Sequence, residues 1–523
     1  MAMWKKVSFV CSLLIGALAL ILGIIALTVV ERFVNKNVLE RDYLGYENFN
    51  GSRRLNSMTG KWLHPDYRME LQIWMYNLTN MADVLNGAKP VVQEIGPFTF
   101  IERQWKSLYQ FETNDTRIFY RNTYVYHFNE SLSCPNCSLD QVVVIPNVLF
   151  QKLVDFAAYG VAEQIAVKAA LTIAKRETPF LNVTVREALF EGYKDPLLEI
   201  ACGYPVIKRL CEAAKIPTRI GFFYGKNNTD DGLYEVSTGL GDAFTIGKVF
   251  TFNNMSIMPD TTWDSADARQ IRGTDGQLFP PMLEEGRDLE IFAGPMCRSI
   301  PMEFRGRSEF EGIAAFRYGF PSKMFDPSVP ENRGFCNKNN TPTFYNASIQ
   351  IPGCLPKGLL DISRCVPGAP RIYVSNSHFF SAHPEVQSSI KGMAVPNEYD
   401  DQTLVDVEPT SGVPIFAKRA TQINVGMVHG NLDLLAKMPN FIMPVLWMNE
   451  TAAFDSDTRS QLSGLTSIKH IVYVVGVSFL TVGLLMLFAV IVAVVLQTVL
   501  KPRGEEEESI IQDVDVEEEV GDI

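Results

Sequence analysis

Two stretches of this chain carry no charge: Val7–Val30, 24 residues, and Ile471–Leu500, 30 residues. A helix needs about 20 apolar residues to cross a bilayer's hydrocarbon, so each run is long enough to span one. A cleaved signal sequence is the other reading of the first run, but its apolar core exceeds the ~7–15 residues of such segments. Between the runs, most of residues 40–145 and 215–450 alternates short stretches rich in Val, Ile, Phe and Tyr with Gly, Pro and Asn. Val91–Ile95, Phe98–Ile101 and Arg371–Ser375 are examples, and the pattern predicts strands and turns. Over Val148–Arg176 the spacing changes: Leu149, Leu153 and Phe156, then Val161, Ile165 and Ala169, keep one helical face. Thr184-Val-Arg-Glu187 has the form of a capping box, in which the Thr and Glu side chains satisfy backbone donors at a helix start, and predicts a second, short helix. The economical architecture is mainly β with α: one large β-rich domain with a helical insertion, held between two membrane helices.

Charge orients the spans. Lys5 and Lys6 flank the first, Lys501 and Arg503 the second, and the positive-inside bias places both termini in the cytosol. The expected organisation is a cytosolic N-terminus (1–6), a membrane helix (7–30), a lumenal or extracellular domain (31–470), a second membrane helix (471–500) and a cytosolic tail (501–523). Eleven Asn-X-Ser/Thr sequons all fall between the spans, at Asn50, Asn77, Asn114, Asn129, Asn136, Asn182, Asn227, Asn254, Asn339, Asn346 and Asn449. Such sequons are usable only in a translocated segment.

The net charge of −12 is concentrated in the tail, where ten acids face two bases. The acidic balance argues against nucleic acid, which calls for clustered Lys and Arg. Of nine cysteines only Cys11 lies in a span; the even remainder, Cys134, Cys137, Cys202, Cys211, Cys297, Cys336, Cys354 and Cys365, suits an oxidising compartment. No HExxH zinc helix, GxSxG elbow or P-loop occurs, so neither an enzyme nor a cofactor is expected.

Nine stretches, in order, resemble the class B scavenger receptor family: YNLTN (Tyr76–Asn80), VLNGAKP (Val84–Pro90), QEIGPFTF (Gln93–Phe100), EGYKDP (Glu191–Pro196), GTDGQLFPP (Gly273–Pro281), CRSI (Cys297–Ile300), LDISRC (Leu360–Cys365), FAKR (Phe416–Arg419) and LWMNET (Leu446–Thr451). The resemblance implies an antiparallel β-barrel pierced by a lipid-carrying tunnel, with a helical bundle (Val148–Phe190) at its membrane-distal apex. It implies a receptor that binds fatty acids, sterols, phospholipids or lipoproteins at the apex and passes lipid toward the membrane.

The same resemblance pairs Cys297 with Cys365 and Cys336 with Cys354. A third bridge of the fatty-acid translocase branch falls on Ala268 and Gly334, so both partners are missing, and Gly334-Phe335-Cys336 looks more like the lysosomal branch. Cys202 with Cys211 and Cys134 with Cys137 are the other expected pairs; Cys134-Pro-Asn-Cys137 also reads as a redox or zinc motif, although only His127 is close by as a further ligand. Family members attract anionic lipid with apical lysines, and the local match is Lys168, Lys175 and Arg176. Cations near a helix C-terminus also simply complement its dipole. The lysosomal branch escorts a lumenal protein through a pH-sensing histidine, yet all six histidines here (His64, His127, His378, His383, His429, His470) lie outside Val148–Phe190. Glu506 with Ile510 and Ile511 resembles an acidic dileucine signal read by clathrin adaptors, against the alternative of a solvated acidic tail. The expected location is the lysosomal or endosomal membrane, or the plasma membrane.

Competing readings remain. A lysosomal sorting receptor and an adhesion or pathogen-binding glycoprotein share this layout, as do two-span ion channels and membrane-bound nucleotidases. A channel would line its pore with polar groups, and the spans offer few: Ser8, Ser12, Thr28, Ser478, Thr481, Gln497 and Thr498.

Overall fold

The computed structural model describes residues 2–112, 114–174, 177–203, 208–209, 218–337 and 347–499. The chain divides into two units, Met1–Asn37 with Gln461–Ile523, and Val38–Ser460.

The described residues of the first unit are helical. The helix Ala2–Ile25 passes through a π-turn (Ala26–Val30) into Glu31–Arg41, and the C-terminal helix runs from Ser456 to Val499. Both continue past the uncharged runs into polar sequence. Glycines let the two helices approach: a Cβ on Gly23 would lie 2.9 Å from the Gly476 carbonyl oxygen, and one on Gly483 would lie 2.9 Å from that of Gly16. Small residues at such crossings are how membrane helices pack without a hydrophobic driving force.

Among the described residues the second unit has seventeen strands. In chain order these are β1 (Tyr46–Phe49), β2 (Ser52–Leu55), β3 (Arg68–Leu78), β4 (Val92–Phe111), β5 (Arg117–Phe128), β6 (Val142–Pro146), β7 (Phe180–Thr184), β8 (Thr229–Ser237), β9 (Val249–Phe252), β10 (Leu289–Ala293), β11 (Arg298–Phe310), β12 (Ile313–Gly319), β13 (Leu360–Asp361), β14 (Ile372–Ser375), β15 (Leu404–Val407), β16 (Pro414–Met427) and β17 (Phe441–Ala453). Thirteen form one antiparallel sheet in the order β10-β11-β12-β15-β16-β17-β3-β4-β5-β8-β9, with β14 on β16 and β13 on β14.

The two edges of this sheet meet at one residue. Thr274 bridges Lys248, beside β9, and Ile291 of β10. Val249 N–H donates to the Gly273 carbonyl at 3.0 Å, and Phe292 N–H donates to that of Thr274 at 2.8 Å. Only glycine fits at 273: its φ is +83°, and a Cβ would lie 2.1 Å from the Glu290 carbonyl oxygen. The sheet is thus a nearly closed antiparallel barrel, which leaves little unpaired edge.

Two clusters of buried apolar side chains pack against it. One gathers Leu71, Ile73, Phe98, Phe100, Ile442 and Leu446 with the helical insertion; the other gathers Ile118, Tyr120, Tyr234, Trp263, Ile300 and Tyr318.

Candidate functional site

The helical insertion begins at Asn147, whose side-chain oxygen accepts from the N–H groups of Leu149 (3.0 Å) and Phe150 (3.1 Å) and starts the helix Val148–Ala157. Extended backbone at Gly160 (φ −179°) separates it from the helix Val161–Ile173, so the periodic stretch is two helices rather than one. The expected bundle over Val148–Phe190 also contains a strand: β7 pairs with β6, Ile145 opposite Leu181. Thr184 and Glu187 then form the capping box, with Thr184 N–H donating to Glu187 Oε2 (3.0 Å) and Glu187 N–H to Thr184 Oγ1 (3.2 Å).

Of the second helix only Val167 is buried. Val161 and Ile165 are 74% and 63% exposed, beside Tyr159 at 83%. The apolar face read from the sequence is therefore partly a surface, and contiguous exposed apolar area marks docking sites. Lys168 is ion-paired to Asp433 at 2.8 Å, while Lys175 and Arg176 lie outside the described residues. The loop that supplies Asp433 packs on this cluster: Val428 N–H donates to Gln151 Oε1 (3.1 Å), and Gly430 lies against Val154. It brings the exposed His429 beside the helices, a histidine that position in the chain did not place there.

Beneath these helices two carboxyl groups meet. Glu177 and Asp195 are both buried, and burial together with the neighbouring Asp195 pushes Glu177 up to about 7. Asn147 Nδ2 donates to Glu177 Oε1 at 2.6 Å. Two carboxylates cannot both stay ionised so close together, so they share a proton.

Inside the barrel the wall turns polar between the two clusters. Along β4, Phe98 and Phe100 are followed on the same face by Glu102, Gln104 and Lys106, opposite Tyr126, Tyr124 and Asn122 of β5. The same inward row continues across Leu71 and Glu450 to Arg419. Arg419 is ion-paired with Glu450, and 51% of its side chain is accessible although it stands in this row beside Glu450 and Leu71. Glu102 is buried with neither carboxylate oxygen bonded; burial and Glu450 raise it well above the usual carboxylate range, against the pull of Arg419. Burial pushes Lys106 down to about 7; its ammonium lies 4.8 Å over the Trp62 ring. Arg419 and Glu450 were read only as parts of the FAKR and LWMNET motifs, and none of these residues was assigned to the interior, because strand register decides which side chains face inward.

Cys134 is bonded to Cys137, and Cys336 to Cys354. Cys202 is also disulfide-bonded, while its expected partner Cys211 lies outside the described residues. Cys297 and Cys365 stand next to one another as free cysteines. Two short 3-10 turns, Gly294–Met296 and Ser363–Cys365, bring them together. Ala268 and Gly334 are neighbours too, since a Cβ on Gly334 would lie 2.9 Å from the Ala268 Cβ, with Ser265 Oγ filling the space. Among the sequon asparagines Asn50, Asn114, Asn136, Asn182, Asn227 and Asn254 are exposed and Asn77, Asn129 and Asn449 half-buried; Asn339, Asn346 and the tail residues Glu506, Ile510 and Ile511 lie outside the described residues. Among the described residues no group of three or more potential metal ligands occurs.

The chain thus carries two terminal candidate membrane helices and a nearly closed, disulfide-bonded antiparallel β-barrel. The CD36 family profile matches residues 14–494, and the chain belongs to that family. It is 29% identical to mouse (Mus musculus) lysosome membrane protein 2 over 479 residues, 89% of this chain and 91% of the relative. It is 28% identical to mouse scavenger receptor class B member 1, covering 84% and 80% of the two chains. It is also 28% identical to sensory neuron membrane protein 1 of Bombyx mori, covering 82% of each.

Proposed function

We propose that this member of the class B scavenger receptor family captures lipid or lipid-bearing particles on its helical insertion and passes fatty acid or sterol through the barrel toward the membrane. Arg419 is the observation that carries this reading: a charged side chain in register with the inward row Phe100, Leu71 and Glu450, yet half accessible, calls for space inside the wall. The exposed Tyr159, Val161 and Ile165 supply an apolar landing surface. Moving an acyl chain into water costs about 0.8 kcal/mol per methylene, so a covered passage removes a barrier that grows with chain length. The task needs no catalytic group. Lipids extracted from the purified protein and identified by mass spectrometry test the reading: stoichiometric fatty acid or sterol is the expected result, and a lipid-free barrel opposes it.

Both termini are proposed to face the cytosol, with the tail acids and Ile510–Ile511 read by clathrin adaptors. Likeness to lysosome membrane protein 2 favours endosomes and lysosomes over the plasma membrane. A lumenal protein ligand is the second reading, favoured by the loop carrying His429 and Asp433 that docks on the helical insertion.

A further inference from the structure

Outside the polar band of the barrel, beside the Cys336–Cys354 bridge, lies a cavity of about 350 Å³ lined by Met324, Phe325, Phe335, Ile351, Leu355 and Leu359. That volume falls within the ~300–1,000 Å³ of small-molecule sites. Its lining is apolar apart from a few groups, of which Arg298 is the cation.

Arg298 is the first residue of β11 and 3% exposed. Its Nε donates to the Ser299 carbonyl at 3.2 Å, and its guanidinium carbon lies 3.6 Å from the centroid of Phe335. Among the described residues no carboxylate pairs with it, and its two terminal nitrogens have no hydrogen-bond acceptor. Two other sheltered arginines are treated differently: Arg364 reaches Asp264 at 2.7 Å and Arg371 reaches Asp155 at 2.8 Å. Asp361 also lines the cavity, but its Oδ1 accepts from Ser363 N–H at 2.9 Å and from the Ser363 hydroxyl. Burial alone pushes Arg298 down to about 9. A buried guanidinium without an anion is costly unless something supplies the counter-charge, and its planar fork suits a carboxylate bound through two parallel hydrogen bonds.

We propose that this cavity binds a monocarboxylate with an apolar body, the carboxylate on the terminal nitrogens of Arg298 and the hydrocarbon against Met324, Phe325 and Leu359. The site uses none of the residues around Arg419 and does not depend on lipid passing through the barrel.

The test is calorimetric titration of the full-length protein in nanodiscs with decanoate, decanol and decyl phosphate. Decanoate is expected to bind at least tenfold more tightly than decanol. Arg298→Gln removes that preference, Arg298→Lys keeps part of it, and Arg419→Gln leaves it unchanged. Ile351→Trp, which places a larger side chain in the cavity lining and leaves Arg298 in place, weakens decanoate at least tenfold. Equal affinity for decanoate and decanol overturns the site. So does a preference that survives Arg298→Gln, a preference lost in Arg419→Gln, or tighter binding of decyl phosphate than of decanoate. Should Arg298→Gln fail to fold, Ile351→Trp decides, and unchanged decanoate affinity in that variant refutes the proposal.

Discussion

His378 Nδ1 stands 2.6 Å from Asp401 Oδ1, at a residue whose backbone is left-handed (φ 50°) and whose other ring nitrogen lies 3.2 Å from Glu94. Glu94 in turn accepts from Trp447 Nε1, and Trp447 stacks on Trp74 at 3.8 Å. The two carboxylates outweigh burial and hold the imidazole up to about 9, so it is charged at lysosomal and neutral pH alike. This histidine is a fastener and not a sensor of acidity.

A raised histidine value fixes the sign of its pH effect. The contribution is complete below the unfolded value near 6.5, falls as pH rises, and is gone above about 9. Melting curves between pH 6 and 9.5 should show the wild type losing about 2 kcal/mol more than His378→Gln across that window. Parallel curves for the two proteins would remove the ion pair from the account.

The Glu177–Asp195 pair acts in a more acidic window. With Glu177 raised to about 7 from 4.5, the shared proton stabilises the region beneath the helices fully below 4.5 and is lost as pH climbs through 7. Hydrogen exchange of residues 148–173 should be slower at pH 5 than at pH 7.4 beyond the intrinsic pH effect. Glu177→Gln should level that difference; a difference that persists in the variant rejects the carboxyl pair as its source.

Barrel closure rests on Gly273. Gly273→Ala must both occupy φ +83° and displace the Glu290 carbonyl, and should cost about 2 kcal/mol or more. Thermal denaturation reads it, and an unchanged melting temperature would mean that the β9 and β10 edges are not held together through Thr274.

Cys297 and Cys365 touch as thiols, and in an oxidising lumen contacting thiols are expected to form a bridge. Non-reducing peptide mapping of the membrane protein matured through the endoplasmic reticulum should recover the 297–365 pair. Recovery of both as alkylated free cysteines would show that the thiols persist.

The sequence made legible whatever depends on near neighbours. Uncharged runs marked the two long apolar helices that are candidate membrane spans, the Thr184–Glu187 spacing marked a helix start, and ordered motifs marked the family. Helix interruption at Gly160 and the strand Phe180–Thr184 escaped notice because short apolar runs suit helix and strand equally. The interior cluster escaped for another reason: Glu102 and Arg419 lie more than three hundred positions apart and meet only through β3 and β17, whose register no local pattern reveals. Arg298 was quoted within a motif, but its lack of a partner is a property of space and not of spacing.

The most direct test of lipid passage is uptake of tritiated oleate and cholesterol by cells with and without the protein, at matched surface amount. The account predicts faster entry where the protein is present, reduced when an engineered bulky side chain at Thr421, on the inward face beside Arg419, fills the bore. Equal uptake with and without the protein would contradict it.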